Sequence, residues 1–243
     1  MNLRSSLIQS KKPAHQFHDA ASLKWIASHR PKNLLNNYTV DVDTIRIIRN
    51  LKPWKRCENS WFINNLIKDG IHGFRHVSRV AIHAVFLAIE HYNEISENEI
   101  KALMFAALLH DCRRKNDNAD PRHGLRAADW LEKKPEIFPK KLHLLSPAIH
   151  FAISVHNDPY ERIFTYSLYK KFKPFVDILK TADALDRYRF PRSDWWFSSK
   201  FITLCPGIKN LSLAFDLVIK SETLFLDTKD NIKSITEALK LLK

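Results

Sequence analysis

An imidazole and a carboxylate stand side by side at His110 and Asp111, where the apolar run ALMFAALLHD ends. Neighbours of these two types at the end of a buried helix can both reach one divalent cation. Imidazole nitrogen and carboxylate oxygen suit Mn, Fe, Co, Ni, Zn or Mg, and a mixed set does not select among them. Two further segments carry the same chemistry. His76 lies upstream in HGFRHVSRV, and Asp183 lies downstream in LKTADALDR. Each residue taken alone is more often a helix cap or a satisfied core group. Ligands drawn from three helices would pin those helices together at one pocket.

His, His-Asp and Asp in this order, each on a helix-like segment, resemble the HD superfamily of metal-dependent phosphohydrolases over roughly residues 70–190. The resemblance implies metal ligation by His76, His110, Asp111 and Asp183. His123 opens HGLRAA and His156 closes AISVH, both between the His-Asp pair and the last Asp. The dinuclear branch of the superfamily holds a second metal with histidines placed there, and Asp111 would then bridge the ions. The alternative is one metal, with His123 and His156 hydrogen-bonding the substrate phosphate. The link to His123 is shorter than in the cyclic-dinucleotide enzymes, and their Gly-Tyr-Pro signature is missing. TADALDR is similar to the ADxLD segment of HD proteins, with Asp183 as ligand and Asp186 placed to orient a ligand histidine.

The activity implied is hydrolysis of a phosphoester on a nucleotide or related phosphorylated metabolite. Metal-activated water would attack phosphorus, with Asp111 or a neighbouring carboxylate taking the proton. Three other functions fit a similar ligand set or the basic charge: a diiron oxygenase, a nuclease or nucleic-acid binder, and a non-catalytic ligand sensor.

The segment DCRRKNDNADPRHG joins two of the expected ligands, so it must pass the pocket mouth. Arg113 and Arg114 suit a phosphate there, because a guanidinium fork makes bidentate bonds. A solvated basic loop is the competing reading. Lys180, one turn before Asp183, is a further candidate for contact with substrate. His83 falls near the His76 face and could support a ligand. His72, one turn before His76 in a Gly-flanked loop, reads as a loop histidine without a partner, with contact to substrate as the second reading, and His91, His143 and His150 read as surface positions. Cys112 makes a poor nucleophile candidate, since adjacent helix positions point apart by about 100°.

The elements that must position these groups are helical. Apolar residues Val77, Val80, Ala81, Ala84, Leu87 and Ala88 share one face of a helix from Phe74 to about Tyr92. Ser96 and Glu99 form a capping box for a helix running to His110. Asp120-Pro121 reads as an N-cap and first-turn proline for a helix through HGLRAADWLEK. Further helices are expected from about Lys141 to His156 and from about Lys173 to Tyr188. The remainder, FPRSDWWFSSKF, GIKNLSLAFDLVIKSE and NIKSITEALKLLK, predicts two or three more. Upstream, a short helix is expected at Ala20–Ser28, then two more in residues 41–69, split by Pro53.

The chain is thus expected to be all-α: an HD-like helical bundle with N- and C-terminal helical additions. Residues 1–40 read as an arm or short helix and residues 41–243 as one domain. Four Gly and 45% hydrophobic residues agree with a folded helical chain. The net charge of +13 fits an anionic partner, either a small phosphoester substrate or nucleic acid. Three widely spaced cysteines make no zinc knuckle or disulfide framework. With no signal peptide or membrane span in view, a cytoplasmic protein is expected.

Overall fold

The computed structural model describes residues 18–241. The expected arm is therefore seen only from His18 onward, and residues 1–17 lie outside the described residues. In chain order the α-helices are α1 (Ala20–Ser28), α2 (Val42–Leu51), α3 (Pro53–Arg56), α4 (Asn65–Asp69), α5 (Phe74–His91) and α6 (Glu97–Leu109). They continue with α7 (His123–Glu132), α8 (Ser146–Val155), α9 (Tyr160–Ile163), α10 (Leu168–Leu185), α11 (Ile208–Thr228) and α12 (Asn231–Lys240). Among the described residues there is no strand, and the protein is all-α.

The packing is organised around α5. Every side chain from Phe74 to Ala88 is buried, as expected of a helix covered on all sides. Helices α6, α10 and α11 pack against it, α8 packs against α6 and α10, and α7 packs on α8. The C-terminal pair α11 and α12 packs together, and α1 lies against α11. Among the described residues, no helix is long and apolar enough to cross a membrane.

Most boundaries follow local chemistry. The capping box of α6 forms, with Ser96 N donating to Glu99 Oε2 (2.9 Å) and Glu99 N donating to Ser96 Oγ (3.2 Å). Helix α1 spans the expected residues and is capped by Asp19 and Ser22.

Four expectations are corrected. Asp120 does not cap α7, whose N-cap is Arg122. The Asp120 carboxylate instead accepts from Lys115 N (3.0 Å) and pairs with Arg126, closing the loop behind the His-Asp pair. The helix expected from Lys141 is a 3-10 segment (Lys140–Leu145) before α8, whose first turn holds Pro147. Helix α10 starts at Leu168, ahead of Lys173, and continues past Pro174 by a kink at Phe172. FPRSDWWFSSKF forms only the short 3-10 turns Ser193–Trp195 and Ser199–Phe201. Pro53 does more than separate helices: it starts α3 at N1, where its missing N–H costs nothing.

Candidate metal centre

Helix ends deliver the chemistry. His76 lies in the first turn of α5, His110 is the C-cap of α6 with Asp111 next, and His123 opens α7. His156 is the C-cap of α8, and Asp183 lies in the last turn of α10. Gly124 allows α7 to meet α8 closely. A Cβ there would stand 2.6 Å from Ile153 O, 2.7 Å from Asn157 Oδ1 and 2.8 Å from His156 Nδ1. At the start of α5, a Cβ on Gly73 would collide with the Lys68 carbonyl.

All four histidines are buried, and all four present Nε2 to Asp111. Asp111 Oδ2 lies 3.4 Å from His76 Nε2 and 3.8 Å from His110 Nε2. Its Oδ1 lies 2.9 Å from His123 Nε2 and 3.6 Å from His156 Nε2. Despite the short approach of His123, Asp111 Oδ1 is buried with no hydrogen bond of proper geometry. Asp183 Oδ1 faces His76 Nε2 at 3.4 Å and His110 Nε2 at 3.9 Å.

The other ring nitrogens fix the tautomers. His110 Nδ1 donates to Ala107 O (2.6 Å), His123 Nδ1 to Asp120 O (2.5 Å) and His156 Nδ1 to Ile153 O (2.7 Å). His76 Nδ1 donates to Asp186 Oδ2 (2.7 Å). Carbonyl and carboxylate oxygens only accept, so each Nδ1 carries the proton. A neutral ring then keeps its lone pair at Nε2. Burial pushes the His110 imidazole down to about 3 and lowers His156 as well, which keeps both neutral. Yet the Nε2 atoms of His76 and His110 are 3.2 Å apart, and those of His123 and His156 are 2.8 Å apart. Facing lone pairs repel unless a cation lies between them. The residues therefore fit a metal. Two buried triads, His76/His110/Asp183 and His110/Asp111/His156, could hold an ion.

The carboxylates are held ionised. Burial works to raise Asp183, and with the facing imidazoles neutral the cation that favours its ionised form is Arg189. Burial opposes ionisation of Asp111 too, and Arg114 holds it well below the usual carboxylate range.

An outer network fixes the His76 ring. Asp186 accepts from Arg79 Nε (2.6 Å) and Nη2 (3.0 Å) as well as from His76. Arg79 Nη1 donates to Glu222 Oε1 (2.6 Å) and to Ser221 Oγ (3.0 Å), both on α11. Glu222 Oε2 also accepts from Arg75 Nε (2.8 Å), and His18 Nδ1 lies 3.0 Å from it. The N-terminal segment and the C-terminal helices thus reach the candidate ligands through α5. Asp186 sits where the sequence placed an orienting carboxylate.

Beside the cluster lies a cavity of about 760 Å³, lined by Asp111, His123, His156 and Asp183 together with Phe190, Trp195 and Phe201. Arg114 and Lys180 line it; Arg113 does not. Arg113 turns away, donating to Trp61 O (3.0 Å) and lying over Trp130. Arg114 Nη1 is 3.6 Å from Asp111 Oδ1, and its Nη2 donates to Asn118 O (2.8 Å). Lys180 Nζ donates to His156 O (2.8 Å) and Asp158 O (2.7 Å), and burial lowers it to about 8.

His72 corrects the sequence reading. It has a partner, with Nδ1 2.9 Å from Asp117 Oδ1, and it lines the cavity. Asp117 is 45 positions away, which explains the miss. His83 is buried with Nε2 making no hydrogen bond to the cluster. His91 and His150 are half-buried and His143 is exposed. Cys112 is fully buried, and burial pushes its thiol up, against a nucleophilic role. Arg187, Arg189, Trp195 and Lys200 also line the cavity and were not singled out from the sequence. They follow α10 in non-periodic turns, so no pattern marked them.

Comparison of the chain with protein-family models, with curated proteins and with solved structures gives no match.

Proposed function

We propose that this chain is a metal-dependent phosphohydrolase of the HD type, acting on a nucleotide or a related phosphorylated metabolite. The observation that carries the reading is Asp111, whose two oxygens face two separate histidine pairs. This favours two ions: His76, His110, Asp111 and Asp183 would hold one, and Asp111, His123 and His156 would hold the other. A divalent metal supplies activated water near neutral pH and offsets charge on a phosphoryl group.

The chain's own residues do the rest. The Nδ1 acceptors hold four imidazoles in one tautomer, and Asp186 holds His76 in orientation. Arg114 brings positive charge to the cavity wall next to Asp111. Phe190, Trp195 and Phe201 give the cavity lining aromatic surface that an apolar part of a substrate can pack against. The HD-like bundle is the corresponding fold reading, with α1 and α11–α12 as additions outside the motif core.

A panel of nucleotides and other phosphoesters, assayed with Mn, Co, Ni, Zn and Mg, tests the proposal. Release of phosphate that chelation abolishes supports it. No turnover with any metal, in protein that binds metal, defeats it. Turnover requiring iron and oxygen would replace it with oxygenase chemistry.

A further inference from the structure

The two sets of candidate ligands come from different helices, and one side chain ties them together. Lys180 lies on α10, one turn before Asp183. Its Nζ donates to His156 O (2.8 Å) and Asp158 O (2.7 Å), the carbonyls on either side of Asn157. An α-helix leaves its last carbonyls without intrahelical partners, and a cation there also meets the negative end of the helix dipole. His156 is the C-cap of α8, so Lys180 completes the end of that helix. The Tyr160 ring lies against the ammonium as well, its centre 5.0 Å from Nζ. That ring is itself anchored, since Tyr160 Oη donates to the fully buried Asp177 (2.8 Å). The turn gripped by Lys180 touches both histidines of the second set. His156 begins it. Asn157 Nδ2 donates to Pro121 O (2.8 Å), two residues before His123. One residue after His123, a Cβ on Gly124 would stand 2.7 Å from Asn157 Oδ1.

An ammonium has three N–H donors. With carbonyls taking two and an aromatic face beside it, Lys180 is committed to the protein rather than to an incoming phosphate. We propose that Lys180 is a positioning residue for the second ion, holding the turn from His156 to Asp158 on α10 so that His156 and His123 stay in register with Asp111. The first set is fixed by other means, with His76 Nδ1 on Asp186 and His110 Nδ1 on Ala107 O. Loss of Lys180 therefore acts on one ion and not on the other. Groups that orient metal ligands change metal affinity by about 10–100-fold when removed. The inference deepens the two-ion reading and rests on it.

The test is calorimetric titration of Mn into the metal-free full chain, for wild type, Lys180→Met and Lys180→Gln, with His123→Ala as the one-ion reference. Wild type should bind about two ions. Lys180→Met should weaken one of them at least about tenfold, ~1.4 kcal/mol, and leave the other within about twofold. Lys180→Gln keeps N–H donors without the charge and should fall between, so it decides the matter if Lys180→Met fails to fold. Adding Lys180→Met to His123→Ala should leave the affinity of the remaining ion unchanged, because both changes act on the same site. Equal Mn affinities in wild type and Lys180→Gln, or equal weakening of both ions, overturn the assignment. So does unchanged Mn binding with weakened binding of inorganic phosphate, which would make Lys180 a substrate contact. A wild type that binds a single ion defeats the two-ion reading and the inference with it. Two ions that respond to Lys180 as stated, without phosphoester turnover, would defeat the phosphohydrolase reading and leave the positioning role standing.

Discussion

Replacing Arg79 by Met should destabilise the protein more than any single surface change, and the structure sets the scale. Arg79 is fully buried and bonds two buried carboxylates, Asp186 and Glu222. Its removal leaves Asp186 with His76 and the more distant Arg189, and Glu222 with Arg75 and His18. Breaking a buried ion pair by removing one partner costs about 3–5 kcal/mol, against a total stability on the order of 5–15 kcal/mol. At roughly 2–4 °C per kcal/mol for a chain of this size, Tm should fall by about 6–20 °C. The pH dependence should change as well. Burial opposes ionisation of Asp186, but Arg79 and His76 hold its carboxyl far below the usual range. A depressed carboxylate contributes stability above its unfolded pKa, and that stability is lost as pH falls through the folded value. Without Arg79 the folded value rises toward the ordinary carboxylate pKa of about 3.9, so the acid loss contributed by Asp186 should shrink and end nearer that value. Urea unfolding followed by circular dichroism, repeated from pH 7 to pH 3, reads both effects. A stability within about 1 kcal/mol of wild type, with an unchanged acid limb, would refute the reasoning, because the loss expected from breaking a buried ion pair would then be missing.

Further outcomes follow from the same contacts. Gly124→Ala should cost about 1–3 kcal/mol and lower metal content, because the new methyl meets Ile153 O and His156 Nδ1; melting and metal analysis together check it. Arg114→Ala should slow phosphoester turnover at least about tenfold, while Arg113→Ala, which removes a side chain bound to Trp61 O, should leave steady-state rates near wild type. Ser96→Ala removes the α6 capping box and should cost about 1 kcal/mol in urea unfolding without altering metal content.

The helical class, the ends of α1 and α6, and the residues that meet at the cluster were legible because they depend on local signals. Apolar spacing marks α5, and Ser96 with Glu99 marks the start of α6. The His-Asp pair, His76, His123, His156 and Asp183 stood out by residue type, and the structure brings them together. What stayed hidden depends on contacts distant in sequence. Asp117 seats His72 from 45 positions away in the sequence, and Glu222 holds Arg79 from α11. Arg189 sits in a 3-10 turn (Asp186–Arg189) with no periodicity to mark its direction. Arg113 and Arg114 are adjacent and chemically alike, and only the fold separates the one at Trp130 from the one at Asp111. The misplaced cap at Asp120 has a similar cause, a carboxylate drawn to Lys115 and Arg126 instead of the helix.

Elemental analysis of the purified chain by mass spectrometry tests the central claim most directly, beside Asp111→Ala and His123→Ala. The four Nε2 atoms converging on Asp111 predict about two divalent ions per chain in wild type. His123→Ala should retain about one, and Asp111→Ala should lose both while its helical signal survives. Wild-type protein that holds no metal after incubation with Mn, Fe, Co, Ni, Zn and Mg, or an Asp111→Ala variant that binds metal as wild type does, would contradict the account.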